Sequence, residues 1–143
     1  MNWIKRNVLY LAWLTALLAM LGSLYFQYVL HFPPCVLCWY QRIAMYPLAL
    51  IIPVGIIRKD KNLPLYILPL TIIGGSIAIY HNLLYYNIVP ESLAPCVQGI
   101  SCTTKLVEYF GFITIPLLSL TAFVVITILM IAVWKGLKNE QRT

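Results

Sequence analysis

The sequence predicts an all-α membrane protein, a bundle of four transmembrane helices. Apolar residues make up 62% of the chain and charged residues only 10%, whereas about a quarter of the residues in a soluble domain are charged. The charges are also clustered, and they leave four long stretches without Asp, Glu, Lys or Arg. Because a helix that crosses a bilayer needs about 20 apolar residues, these stretches predict one crossing each.

Helices are the expected spanning form, because lipid offers the backbone no hydrogen-bond partner. The predicted spans are Val8–Leu30, Tyr40–Ile57, Leu63–Tyr86 and Ile113–Trp134. The apolar run of the first span is too long for a signal peptide, and no A-x-A-like cleavage site follows it, so we interpret it as an uncleaved helix. We expect residues 1–143 to form a single integral-membrane domain, with a short interfacial helix over Lys105–Phe112.

The basic residues predict the orientation of the bundle. With four spans, both termini lie on the same side as the middle loop. That side carries Lys5, Arg6, Arg58, Lys59, Lys61, Lys135, Lys138 and Arg142, and the other side carries only Arg42 and Lys105. Since Lys and Arg accumulate in cytoplasmic loops, we expect cytoplasmic termini and two extracytoplasmic loops at the cell membrane. The net charge of +6 therefore indicates topology and gives no reason to expect a nucleic-acid partner.

All four cysteines fall in the two loops that are predicted to be extracytoplasmic. Cys35 and Cys38 form a C-x-x-C pair, and Cys96 and Cys102 form a second pair. Disulfides form and persist in such an oxidising compartment, and C-x-x-C is typical of redox-active dithiols. A structural disulfide is a plausible alternative for Cys96 and Cys102. A four-thiolate zinc site is a further alternative, but we expect no metal because such sites favour reducing compartments and soluble folds.

The residues around the first pair favour reactivity. Pro33 and Pro34 precede Cys35, and because proline suits the first turn of a helix, we expect Cys35 near a helix N-terminus. The free amides and the dipole there stabilise a thiolate. Arg42 lies one helical turn beyond Cys38 on the same face, where it could stabilise negative charge or bind an oxygen of a ligand. The alternative for Arg42 is a side chain that only snorkels to the interface.

His81 is a second candidate, since an ionisable residue near a membrane site is a functional candidate by default. It could hydrogen-bond an oxygen of a bound ligand or relay a proton to it. The alternative is an interfacial polar residue among aromatic neighbours.

The run Cys35-Val-Leu-Cys38-Trp-Tyr-Gln-Arg42 resembles the signature of the disulfide bond formation protein B (DsbB) family, whose Gram-positive members are called BdbC. The likeness extends over essentially the whole chain. Five residues separate Cys96 from Cys102, which matches the BdbC branch, because the better-known Gram-negative members space this pair further apart on a longer loop.

The resemblance implies a membrane thiol oxidoreductase with two redox-active loops. Such proteins reoxidise a soluble thioredoxin-fold dithiol oxidase (DsbA/BdbD-like) and pass the electrons to a membrane quinone, either menaquinone or ubiquinone. It also implies that the partner attacks the Cys96–Cys102 disulfide at Cys96, that Cys102 then meets Cys35, and that Cys38 faces the quinone beside Arg42.

Two other functions stay open at this point. A non-enzymatic four-helix membrane protein could use the cysteines as structural clips. An enzyme of the vitamin K epoxide reductase type also combines C-x-x-C with a four-helix core. In that class the motif normally lies near the last helix of the core, whereas here it opens the second span.

Overall fold

Four long helices form most of the structure, a computed structural model that describes residues 3–93, 108–109 and 113–142. They are α1 Trp3–Tyr28, α2 Val36–Arg58, α3 Leu63–Tyr85 and α4 Ile115–Arg142. Each is long and apolar enough to cross a membrane, which confirms the predicted fold class. A 3-10 turn follows α3 over Glu91–Leu93, and two short strands, β1 Glu108–Tyr109 and β2 Ile113–Thr114, precede α4.

Three of the helices extend beyond the spans predicted for them. Helix α1 begins at Trp3 rather than Val8, α2 begins at Val36 rather than Tyr40, and α4 continues to Arg142 rather than ending at Trp134. Hydropathy finds only the part of a helix that lies in hydrocarbon, whereas α1 and α4 continue into sequence with charged residues. The extension of α2 takes in the C-x-x-C motif. At one end, Lys5 donates a hydrogen bond of 3.0 Å to the Gly136 carbonyl and pairs with Glu140 at 2.8 Å. Both chain ends therefore lie at the same end of the bundle.

The prediction of an interfacial helix over Lys105–Phe112 is wrong at Glu108 and Tyr109, the two residues of that stretch that the structure describes, because they form a strand. Strand β1 pairs antiparallel with β2, with Glu108 opposite Thr114 and Tyr109 opposite Ile113. The β-branched side chains of Ile113 and Thr114 favour extended backbone, which delays the start of α4 by two residues. The Thr114 hydroxyl then accepts a hydrogen bond of 3.3 Å from the Leu117 backbone N–H and so caps the first turn of α4.

The helices pack in a ring in which α1 contacts α2 and α4, and α3 contacts α2 and α4. The core of the ring is apolar. Its largest fully buried members include Leu9, Leu48, Ile52, Ile67, Phe123, Ile126 and Met130. The outer faces carry many exposed large apolar side chains, such as Leu18, Ile57 and Ile72. An apolar exterior of this extent suits a protein whose surface is covered by lipid.

Gly74 lets α3 approach its neighbours closely. A Cβ atom at this position would overlap the ring of Phe123 on α4 and lie 3.0 Å from the Cβ atom of Ala44 on α2. Gly75, the next residue, has more space, because its nearest neighbour would be the Phe123 Cβ atom at 3.7 Å. Small residues at helix interfaces let membrane helices pack closely. Of the two glycines, Gly74 is therefore the one that the close packing of α3 against α2 and α4 requires.

The turn between α2 and α3 lies at the same end as the chain termini. Lys59 adopts a left-handed conformation, with a φ of 52°, and ends α2. The Asp60 carboxylate accepts hydrogen bonds from the Tyr66 hydroxyl and, at 2.8 Å, from the Asn62 backbone N–H. The bond from Tyr66 is the main cause that lowers the pKa of Asp60, and the bond from Asn62 adds to it.

Candidate dithiol site

The first cysteine pair begins α2. Cys35 is its N-cap residue, and the Cys35 sulfur accepts a hydrogen bond of 3.3 Å from the Cys38 backbone N–H. This confirms the expectation that Cys35 lies at a helix N-terminus. The two Sγ atoms are 2.8 Å apart. Cys35 is buried with Leu37 and Leu84, whereas Cys38 is only partly buried.

The surroundings of Cys35 favour its thiolate. A hydrogen bond from the Cys38 thiol is the main cause that lowers the pKa of Cys35. Burial opposes this effect, and the contact with His81 adds to it. The helix N-terminus contributes in the same direction. In the reduced pair, negative charge is therefore favoured on Cys35.

His81 is buried between the helices, and only 3% of its surface is exposed. Its Nε2 atom is 3.8 Å from the Cys35 sulfur, and its Nδ1 atom is 3.0 Å from the Gln41 side-chain nitrogen. Because the Gln41 amide N–H donates to Nδ1, the ring proton of a neutral His81 is on Nε2. That proton points toward the sulfur and can stabilise a thiolate there.

Arg42 is also buried and is held by the first helix. One of its guanidinium nitrogens donates to the Gln27 side-chain oxygen, and another donates to the Ser23 carbonyl at 3.1 Å. The guanidinium also lies over the Trp39 ring, 5.3 Å from its centroid. The charge of Arg42 is therefore directed toward α1, beside the cavity described next.

A cavity of about 450 Å³ opens beside the pair, with walls from all four helices and from the loop before α2. Cys38, Arg42 and His81 line it, whereas Cys35 does not. The remaining walls are mostly apolar, with residues such as Leu18, Phe26 and Val125. The structure thus gives the two sulfurs different surroundings. Cys38 faces a space that suits an apolar ligand with a few polar atoms, and Cys35 faces His81.

A soft metal ion is the other ligand that these side chains could bind. The donor atoms of Cys35, Cys38 and His81 all lie within 4.8 Å of one another. Two thiolates on a tetrahedral zinc ion, with Zn–S bonds of about 2.3 Å, would be about 3.8 Å apart. The sulfurs here are 2.8 Å apart, so the pair is closer to the geometry that disulfide formation needs.

The structure brings together four of the six predicted site residues, Cys35, Cys38, Arg42 and His81. Cys96 and Cys102 lie outside the described residues. The sequence reasoning missed Gln27 and Gln41, which fix Arg42 and His81. A signal for Gln27 was present, because a polar residue within a membrane span is unusual and is a functional candidate by default.

Comparison with known proteins agrees with the resemblance. The family described as "Disulfide bond formation protein DsbB" matches residues 5–134. The chain is 48% identical over 132 residues to disulfide bond formation protein C of Bacillus subtilis, covering 92% of this chain and 95% of that protein. It is 46% identical over 123 residues to the probable disulfide formation protein C of Halalkalibacterium halodurans, covering 86% of this chain and 90% of that protein. No solved structure gives a significant match.

Proposed function

Because the chain belongs to the disulfide bond formation protein DsbB family and acts as a membrane disulfide oxidoreductase, we propose that it reoxidises a soluble thioredoxin-fold dithiol oxidase and passes the electrons to a membrane quinone. Disulfides would thereby be supplied to exported proteins. The observation that carries this proposal is the position of Cys38, which is 2.8 Å from the Cys35 sulfur and on the wall of an apolar cavity.

The proposed orientation places the dithiol outside the cytoplasm. Lys5 and Glu140 meet at one end of the bundle, and the Arg58–Asn62 turn lies at this end. This end carries the basic residues that favour the cytoplasmic side. Cys35 is at the opposite end, at the start of α2. The cysteines would therefore face the compartment in which disulfides persist.

Four cysteines would carry the electrons in four exchange steps. A thiolate of the reduced partner would attack the Cys96–Cys102 disulfide at Cys96 and release Cys102. The Cys102 thiolate would then attack Cys35, so that a Cys35–Cys102 bond forms and Cys38 leaves as a thiolate. Arg42, one turn beyond Cys38, supplies positive charge on the same side of the cavity. The partner's second thiolate would then attack the mixed disulfide and release Cys96, which would attack Cys102, re-form the Cys96–Cys102 disulfide and release Cys35. Each cycle would thereby move two electrons from the partner's dithiol to the Cys35–Cys38 pair beside the cavity.

The cavity residues fit a quinone. Its walls are mostly apolar, as a lipid-soluble ring and tail require, and Gln41, Arg42 and His81 are among the polar side chains that line it together with Cys38. When bound, a quinone would supply a two-electron acceptor of high enough potential to keep a strongly oxidising partner oxidised. Within this site the chain would bind the ring beside the Cys38 sulfur, hold positive charge near its oxygen through Arg42, and direct the His81 ring toward Cys35.

The test uses the purified protein in detergent with a reduced thioredoxin-fold dithiol and a quinone. We expect quinone absorbance to fall in step with oxidation of the dithiol, and we expect Cys38→Ser to abolish both. Cys96→Ser is the matched control, since it should block oxidation of the protein substrate but leave quinone reduction driven by dithiothreitol. Quinone consumption that persists in Cys38→Ser would contradict the proposal. If folded wild type consumed no quinone with either reductant, the cysteines would be structural or would use another acceptor.

A further inference from the structure

Tyr46 is a residue of the cavity wall whose hydroxyl group the dithiol chemistry does not use. The hydroxyl oxygen of Tyr46 is buried and has no hydrogen-bond partner within residues 3–93, 108–109 and 113–142. Tyr46 lines the same cavity as Cys38 and Arg42. Buried hydroxyl groups in native proteins are nearly always hydrogen-bonded, so a buried one without a partner calls for an explanation.

Two other hydroxyl groups on the cavity wall are already engaged. Thr15 donates to the Leu11 carbonyl at 2.9 Å, and Thr121 donates to the Leu117 carbonyl at 2.8 Å. Both bonds stay within one helix, as is usual for threonine. Tyr46 has no such local option, because its hydroxyl is at the far end of a rigid ring. A bound ligand is therefore the natural partner for it.

The position of Tyr46 says which part of a ligand it would meet. Cys38, Arg42 and Tyr46 are four residues apart along α2, so they share one face of the helix and all line the cavity. Four residues rise about 6 Å, which places Tyr46 one turn deeper in the bundle than Arg42. A ligand with one oxygen beside Cys38 and Arg42 would need a second oxygen at its opposite end to reach Tyr46.

A para-quinone has this shape, since its two carbonyl oxygens lie on opposite sides of one flat ring. We propose that Tyr46 is a quinone-binding residue whose hydroxyl donates a hydrogen bond to the inner carbonyl oxygen, while the outer carbonyl lies beside Cys38 and Arg42. This assignment rests on the proposed function of the cavity. It makes the site selective for acceptors with oxygen at both ends of the ring.

The test is Tyr46→Phe, which removes the hydroxyl and keeps the ring. Binding is measured without turnover, in a Cys38→Ser background, as the rise in melting temperature with ubiquinone-1. We expect Tyr46→Phe to raise the half-saturating ubiquinone-1 concentration about two- to tenfold, the range for one hydrogen bond. In the active protein the KM for ubiquinone-1 should rise by a similar factor. Tyr10→Phe is the control, because Tyr10 is exposed on α1 and is outside the cavity lining.

The melting temperature without quinone separates binding from structure. Because the Tyr46 hydroxyl has no partner within the described residues, Tyr46→Phe should melt no earlier than its parent. The assignment of Tyr46 would be overturned if Tyr46→Phe melted earlier than its parent without quinone. It would also be overturned if the half-saturating ubiquinone-1 concentration did not change while the active protein reduced ubiquinone-1. Neither result would overturn the proposed function. If ubiquinone-1 neither stabilised the parent nor accepted electrons from wild type, the proposed function would fall, and the assignment with it.

Discussion

The Nε2 atom of His81 on α3 lies 3.8 Å from the Sγ atom of Cys35 at the start of α2. The other ring nitrogen of His81 is fixed by Gln41, which is on α2 as well. The contacts with Gln41 and Cys35 thus orient the imidazole of His81, on α3, toward the buried Cys35 sulfur. The Cys38 sulfur, 2.8 Å away, faces the cavity instead. The two cysteines of one motif therefore have different partners, and this difference suggests a division of work between them.

The contact with His81 predicts how Cys35 reacts with an alkylating reagent. In the reduced protein, His81→Phe removes a group that lowers the pKa of Cys35, so less thiolate is present at mildly acidic pH. We expect the pH midpoint of Cys35 alkylation by iodoacetamide to rise by about one pH unit. Peptide mass spectrometry would distinguish Cys35 from Cys38. His31→Phe is the control, because His31 is exposed in the loop before α2; an equal rise in both variants would contradict a specific effect of His81.

Arg42 should not tolerate replacement by lysine. Arginine bonds Gln27 and Ser23 through two separate nitrogens of one planar group that also lies over Trp39, and the compact ammonium of lysine does not reproduce this geometry. Since hydrogen bonds to charged groups contribute about 1.5–3 kcal/mol each, we expect Arg42→Lys to melt several degrees earlier in detergent and to raise the KM for quinone.

Arg58→Lys provides the comparison, because Arg58 is exposed in the last turn of α2. It should melt like wild type and keep the wild-type KM. If the two lysine variants had the same melting temperature and the same KM for quinone, the interactions of Arg42 with α1 would contribute little to stability or to quinone binding.

The adjacent glycines of α3 should differ in their tolerance of a methyl group. Gly74→Ala would overlap the buried Phe123 ring and crowd Ala44. Overpacking of this kind costs typically about 1–3 kcal/mol, so we expect a clear fall in melting temperature. Gly75→Ala meets only ordinary contact at 3.7 Å and gains helix propensity, so it should melt at the wild-type temperature or slightly above. Similar destabilisation of both variants would contradict the close packing of α3 on α4.

Much of the fold could be predicted from the sequence because lipid imposes simple rules. Charge-free stretches identified all four helices, and Pro33 and Pro34 placed Cys35 at a helix start. The helix ends were less predictable. Lys5 is charged, so hydropathy placed it outside the first span, but it lies within helix α1 and bonds to α4. The strand at Glu108–Tyr109 was missed because its pairing depends on a partner strand rather than on local composition.

The candidate site was predictable by residue type but not by partner. The motif identified Cys35, Cys38 and Arg42, and the position of His81 in the third span made it a candidate. The partners of these residues depend on how each helix is rotated about its axis against its neighbours. The spacing of residues along the chain does not give this rotation. The bonds of Arg42 to Gln27 and of His81 to Gln41 are of this kind.

The central claim is that Cys35 and Cys38 together reduce a quinone, and a single-turnover measurement tests it most directly. The protein would carry Cys96→Ser and Cys102→Ser, so that only this pair remains, and would be fully reduced before one equivalent of ubiquinone-1 is added. Our account predicts one quinol formed for every two thiols lost, with a Cys35–Cys38 disulfide as the product, and no quinol when Cys38→Ser is added. Quinol formation without loss of these thiols, or no reaction in a folded protein that binds ubiquinone-1, would contradict it.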